Sequence, residues 1–383
     1  MRKAVWIGIV ALIIASFCGC SALDHTYPTI EKGRKLTFPR DHFAHKDFRT
    51  EWWYYNGRLE AEDGSRYGFE LVFFKRRTDE DKIWGYPIYK YTNPAHLAHF
   101  SITDLQEKKL HYADKRTRDF DHKRGPAGAL EDSYMVWNES WSAKGIGDKH
   151  FLKADMKGYD LSIAVEPAKK QPFVLHGDNG YFLKSGGPDF ARGTFYIAFT
   201  RLVGEGYLFV DGKPKKVKVS AWMDHEFGSH QLAPDQLGWD WFSIQFADNT
   251  EVMLYLLKQA DGSWSPLSKG TYVDADGKSY PIRFNEIRTT PLRTWKGKGQ
   301  YTIEWKFEVL PLDLEMIVRP LVDDQEIDSR KSTMVVYWEG IVEANGTKGG
   351  KPIHGEGYME LCGNAHPVHF LTENRSSDNS DVN

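Results

Sequence analysis

Apolar residues recur at every second position through much of the chain. Trp53, Tyr55, Gly57 and Leu59 alternate with their neighbours, and Tyr67, Phe69, Leu71 and Phe73 do so again. A period of two puts one such set on one face of a β-strand. Between the two runs stands Asp63-Gly64, a hairpin signal because the tightest turns need residues that accept positive φ. The same dipeptide returns at Asp211-Gly212, Asp261-Gly262 and Asp276-Gly277. Further strands are predicted over 98–103, 159–165, 194–202, 217–222, 241–246, 251–257, 301–309, 333–343 and 356–361. A single short helix is predicted near 104–118. Many short strands separated by turns describe an all-β chain, a sandwich or a barrel.

The pattern also repeats. Trp52-Trp53-Tyr54-Tyr55, a polar turn and Phe69-Glu70-Leu71-Val72-Phe73 find a counterpart in Trp239-Asp240-Trp241-Phe242, Asp248-Asn249 and Met253-Leu254-Tyr255-Leu256. Two copies of one β unit are expected, with the boundary where Gly228-Ser229-His230 and Ala233-Pro234-Asp235 interrupt the strands. The expected division is a signal peptide over 1–19, a tether over 20–37, an N-terminal unit over 38–228, a C-terminal unit over 229–372 and a disordered polar tail over 373–383.

The first residues read as a targeting segment. Arg2 and Lys3 precede an apolar run from Ala4 to Phe17, shorter than the roughly 20 residues of a membrane span. Phe17-Cys18-Gly19-Cys20 then resembles the lipobox of bacterial lipoproteins, which implies cleavage before Cys20 and lipidation of its thiol. Ser21 in place of Asp implies the outer membrane, with the protein facing the periplasm. Of the three cysteines only Cys362 is then left, so no internal disulfide can form.

Composition narrows the function. The net charge of −3 supplies no basic excess for phosphate binding, so a nucleic-acid partner is not expected. The 13 Trp, 19 Tyr and 22 Phe are enough for a large core or for an aromatic-lined cavity.

Several ordered motifs resemble one family. They are Glu51-Trp52-Trp53-Tyr54-Tyr55-Asn56-Gly57-Arg58-Leu59, Ala98-His99-Phe100-Ser101-Ile102-Thr103-Asp104, and Ala221-Trp222-Met223-Asp224-His225-Glu226-Phe227-Gly228 with Gly238-Trp239-Asp240-Trp241-Phe242. Tyr337-Trp338-Glu339-Gly340 and Gly357-Tyr358-Met359-Glu360-Leu361 close the series. Together, over residues 38–370, they resemble the AttH-like branch of the lipocalin-like superfamily, which includes the bacterial carotenoid 1,2-hydratases. The resemblance implies two consecutive lipocalin-like antiparallel β-barrels and an apolar, lipid- or isoprenoid-like ligand enclosed by a barrel.

It also implies a chemistry. Adding water to an unactivated alkene needs a carboxyl group kept protonated by apolar surroundings, and aromatic faces to stabilise the carbocation. Asp224 matches the proposed proton donor of the hydratases and His225 its neighbour. Trp222 stands where they have Tyr, and Tyr196 and Ala198 stand where they have an upstream His and Trp. The candidate catalytic set is therefore Asp224, His225, Trp222 and Tyr196. The candidate ligand-binding set is Trp52, Trp53, Tyr55, His99, Arg201, Glu226, Trp239 and Trp241. Three functions follow: binding of a hydrophobic molecule by an envelope lipoprotein, hydration or isomerisation of an isoprenoid chain, and an accessory role beside transporter components. In a purely architectural alternative, Asp224, His225, Glu226 and Arg201 form a network that fixes the two barrels, and the tryptophans fill core.

No cofactor is expected. His225-Glu226 lacks the second His of a zinc-protease helix, since residue 229 is Ser, and His96 and His99 fall on opposite faces of a strand, so no metal is expected. No Gly-x-Ser-x-Gly elbow and no phosphate-binding glycine loop is present.

Overall fold

The Asp63-Gly64 turn joins strand Thr50–Ala61 to strand Arg66–Arg76, with Gly64 at φ +84°. Asp211 and Gly212, at φ +47° and +75°, form the two-residue link between Phe190–Val210 and Lys213–Gly228. These hairpins belong to a computed structural model that describes residues 27–78, 82–83, 86–87, 94–118, 125–187 and 190–368. No α-helix occurs among the described residues.

Strands from Thr50 to Gly228 form one thirteen-stranded antiparallel sheet, and strands from Gln236 to Leu361 form a ten-stranded one. Each curls around its own core as a lipocalin-like barrel. In the first, Tyr55, Leu59, Phe69, Leu71, Phe100, Trp141 and Leu161 pack inward. Side chains help close it: Asn138 Nδ2 donates to His96 O at 3.3 Å, and Thr117 Oγ1 donates to Asn138 Oδ1 at 2.6 Å. In the second, Phe242, Ile244, Trp305, Phe307, Val318 and Trp338 fill the interior.

The outward faces of the two sheets meet. Tyr54, Val72, Tyr196, Ala198 and Trp222 of the first pack with Trp241, Tyr255, Tyr337, Ile341 and Tyr358 of the second. Strands at this junction are buried on both faces, so their sequences read as nearly continuous apolar runs. Gly68 permits the contact: a Cβ there would lie 2.6 Å from Tyr358 Oη and 3.0 Å from Ile341 Cβ.

Three sequence expectations change. The helix expected near 104–118 is a turn followed by strand Lys109–Arg118. Asp104 Oδ1 accepts the N–H groups of Gln106 and Glu107, the interaction that would start a helix, and here it closes a turn. Within the expected tether, Tyr27 and Ile30 are buried and Leu36 is half-buried, while most of residues 27–37 are exposed. Ile30 joins Phe48, Phe195, Ile197 and Phe227 in a satellite cluster. The cavity described below lies between the two barrels, not inside one, where the ligand space was expected, and apolar side chains pack into both interiors. The signal peptide, Cys20 and the tail 373–383 lie outside the described residues.

Candidate active site

Strand alternation decides what each residue of the central motif faces. On Lys213–Gly228, Trp222, Asp224 and Glu226 point to the junction, while Met223, His225 and Phe227 point the other way. On Thr50–Ala61, Trp52 and Tyr54 face the junction, and Trp53 and Tyr55 face the barrel interior. The junction holds a cavity of about 70 Å³, several times the roughly 10–15 Å³ that one water requires. Trp52, Trp239, Trp241 and Tyr255 supply aromatic walls, and Glu70, Asp224, Glu226 and Glu360 supply carboxyl groups. Half-buried Trp52, Phe74 and Trp239 form its more open side.

Asp224 is buried at the centre of a donor array. Trp222 Nε1–H donates to Asp224 Oδ1 at 2.7 Å. The Tyr196 hydroxyl also bonds the Asp224 carboxyl. Trp241 Nε1–H donates to Tyr196 Oη at 3.0 Å, and because an indole can only donate, the phenol hydrogen stays available for Asp224. Burial pushes the Asp224 pKa well above the usual carboxylate range; Glu226 and Glu360 push it the same way, and the two donors oppose without reversing it. The rings of Tyr54 and Trp222 stand edge-on to Trp241, with centroids 5.8 and 6.1 Å away.

Glu226, two residues along, has a different environment. Lys184 Nζ lies 2.9 Å from Glu226 Oε2, and Thr194 Oγ1 donates to the same oxygen. Lys184 in turn sits 5.1 Å from the ring centroids of Trp52 and Tyr255. Thus one carboxyl of the strand is held neutral by burial while the next is neutralised by a lysine. Across the cavity, burial raises Glu70 to about 8. Burial also raises Glu360, whose Oε2 accepts Trp239 Nε1–H at 2.8 Å.

The structure thus brings together Asp224, Tyr196, Trp52, His99, Glu226, Trp239 and Trp241 around one cavity, with Trp222 behind Asp224. It separates four others. Trp53 stacks on His225 inside the first barrel, with centroids 4.9 Å apart. Tyr55 Oη lies 2.9 Å from His150 Nδ1 in the same interior. Arg201 Nε donates to Glu251 Oε1 at 2.5 Å and ties the barrels together away from the cavity. His225 Nε2 contacts Glu51 Oε1 at 2.9 Å, on the face of its strand opposite Asp224.

His225 belongs to a separate buried network. His45 Nδ1, Glu51 Oε1 and His225 Nε2 lie within 4.8 Å of one another, a constellation able to ligate a metal. Each atom already has a hydrogen-bond partner, however. His45 Nδ1 is 2.8 Å from Glu51 Oε1, Lys75 Nζ is 2.8 Å from Glu51 Oε2, and Asp41 Oδ1 is 2.9 Å from His45 Nε2. Burial opposes a charge on Glu51, but Lys75, His45 and His225 outweigh it and hold its pKa well below normal. A metal would compete with Lys75 for that carboxylate.

Sequence reasoning missed Glu70, Lys184, Tyr54, Tyr255, Tyr337, Glu360 and Cys362. A signal existed for two of them: Glu70 interrupts the apolar run Phe69–Phe74, and Glu360 stands in the strand that ends Tyr358-Met359-Glu360-Leu361. A charged residue in a strand apolar on both faces is a candidate buried acid, not a solvated one.

Comparison with known proteins adds a lineage. The AttH-like family profile matches residues 29–364. The chain belongs to the AttH-like family. It is similar to an AttH-like protein of Nitrosomonas europaea, at 30% identity and TM-score 0.75, over 88% of this chain and 99% of that one. It shares its fold with kievitone hydratase from Nectria haematococca, at 13% identity and TM-score 0.67, over 88% and 95% of the two chains. CghA bound to Sch210972 is a more distant likeness, at 15% identity and TM-score 0.50, over 83% and 89%. No curated protein sequence matches this AttH-like chain.

Proposed function

We propose that this AttH-like protein is an acid catalyst that adds water to the alkene of a hydrophobic, isoprenoid-like substrate in the cavity between its barrels. The observation that carries this reading is Asp224, a carboxyl held neutral by burial on the wall of an aromatic cavity. Trp222 and Tyr196 occupy its lone pairs as donors, so its own proton is directed to the cavity. Transfer of that proton to an alkene carbon leaves a carbocation among the aromatic residues that line the cavity, Trp52, Tyr54, Trp239 and Trp241, whose quadrupoles stabilise it. Water captures the cation. The paired Glu226 and Lys184 contribute no net charge, and burial holds Asp224 and Glu70 neutral, so the cavity suits neutral apolar substrates.

The expected binding of a hydrophobic molecule is the first step of this reaction. Kinship of fold with a hydratase supports the assignment, and the ionisation state of Asp224 favours chemistry over binding alone. Export and acylation at Cys20, read from the sequence, would place the reaction in the cell envelope.

The test is direct. The mature protein is purified without detergent, and its organic extract is examined by mass spectrometry. It is then incubated in heavy-oxygen water with isoprenoid alkenes graded from monoterpene alcohols to acyclic carotenes. The reading predicts a product heavier by one labelled water, formed by wild type and lost in Asp224→Asn with ligand affinity kept. Binding without turnover by any alkene would leave a binding protein and refute the enzyme.

A further inference from the structure

The cavity has a second polar station. Glu70 on strand Arg66–Arg76, His99 on Ala95–Asp104 and Tyr337 on Val336–Lys348 all line it. Tyr337 Oη lies 2.8 Å from His99 Nδ1 and 3.2 Å from Glu70 Oε1. A phenol has one hydrogen, so it serves one partner as donor and the other as acceptor. The remaining ring nitrogen, His99 Nε2, lies 3.0 Å from Ser332 Oγ, and Ser332 donates its own hydrogen to Ser329 O at 3.2 Å. Ser332 therefore accepts from Nε2–H, and Nδ1 carries a lone pair facing Tyr337. Ser101 Oγ donates to Glu70 Oε2 at 3.1 Å, which leaves that oxygen room for one more donor.

The chain has two settings. With Glu70 ionised, the Tyr337 hydroxyl donates to Oε1 and His99 Nδ1 is left without a donor. With Glu70 protonated, that hydrogen turns to His99 Nδ1 and the acid donates to the phenol oxygen. Burial raises Glu70 to about 8 and lowers His99 to about 3, so the second setting prevails at neutral pH. Glu70 pairs with Asn56, and Asp224 with Tyr54, so the two acids share a sheet face two strands apart, roughly 10 Å in the hydrogen-bonding direction.

We propose that Glu70 holds the attacking water and takes its proton, with Tyr337 and His99 relaying the charge behind it. This rests on the hydration reading above. The water donates one hydrogen to Glu70 Oε2 and turns a lone pair to the cation. As the C–O bond forms, that hydrogen passes to Oε2, the Oε1 proton moves to Tyr337 and the Tyr337 proton moves to His99 Nδ1. The substrate has gained a proton from Asp224 and a hydroxyl from water. Asp224 ends as carboxylate and His99 as imidazolium, and return of one proton from His99 to Asp224 through water restores both. Glu70 and His99 come from the first barrel and Tyr337 and Ser332 from the second, so the relay exists only in the docked molecule.

The two proton steps can be read separately. In deuterium oxide enriched in heavy oxygen, reversible protonation by Asp224 puts deuterium into recovered alkene, and water capture puts heavy oxygen into product. With the full chain and the graded alkenes, Glu70→Gln should keep deuterium uptake and lose heavy-oxygen uptake by on the order of 100-fold. Tyr337→Phe, which leaves Glu70 in place, should lose capture selectively as well. Asp224→Asn should lose both labels. If Glu70→Gln loses both labels equally, or neither, the relay is wrong and Asp224 stands. If Asp224→Asn keeps both, or wild type takes up neither label from any alkene, the hydration reading falls and the relay with it. Nitrogen NMR of histidine-labelled protein gives a substrate-free check. His99 should be neutral with its hydrogen on Nε2, and a hydrogen on Nδ1 or a charged ring overturns the relay.

Discussion

Three buried carboxyl groups in this molecule respond to their surroundings in three ways. Asp224 is already neutral in the folded state, so Asp224→Asn replaces one neutral hydrogen-bonding group by another of the same shape. By chemical denaturation below pH 3.8, the ordinary aspartate pKa, the unfolded carboxyl is mostly protonated too, and the variant's stability should stay within about 1 kcal/mol of wild type. At pH 7 the variant should be the more stable, because wild type must take up a proton on folding. Glu51 is ionised among Lys75, His45 and His225, and Glu51→Gln leaves those groups buried without their counter-charge. That change should cost on the order of 3–5 kcal/mol in denaturant titration. Glu70 gives a pH signature. Its folded pKa of about 8 lies above the ordinary 4.5, so its contribution is fully present below pH 4.5 and is lost as pH rises towards 8. Glu70→Gln should remove that decline, up to about 1.4 kcal/mol per pH unit over the window, as read from chemical denaturation at stepped pH.

At the scale of strands, period-two alternation was the most legible feature of the sequence. Trp53, Tyr55, Leu59, Tyr67, Phe69, Leu71 and Phe73 all face the first barrel's core. All four Asp-Gly pairs lie at turns, with each glycine at positive φ. The same alternation, applied through the central motif, separates Asp224 from His225; pairing them through their match to the hydratase motif ignored that neighbours on a strand face opposite ways. What the pattern could not convey is which outward face is covered. Glu70 and Tyr337 sit on outward positions, and their burial depends on a partner strand more than 260 residues away, as the Tyr337–Glu70 bond shows. Asp104 illustrates a local ambiguity: the side chain that caps a helix start also closes a turn.

For the whole molecule, the decisive arrangement is the docking of two barrels, which creates a cavity at their junction. Gly68 lies where the sheets are in tight contact, and Gly68→Ala would drive a methyl group into Tyr358 and Ile341. Overpacking there should cost about 1–3 kcal/mol and, by shifting one barrel against the other, weaken binding of any cavity ligand. A titration beside a melting curve reads both effects. The anchor expectation has its own test at Cys20. Fatty-acid labelling of cells should mark wild type and not Cys20→Ala.

The central claim is that Asp224 carries a proton at neutral pH while facing the cavity. Infrared difference spectroscopy of wild type against Asp224→Asn, in deuterium oxide at pH 7, reads that proton without any substrate. The account predicts that the variant loses the carbonyl stretch of a protonated carboxylic acid. Loss of a carboxylate band instead would show Asp224 ionised and unable to act as the acid.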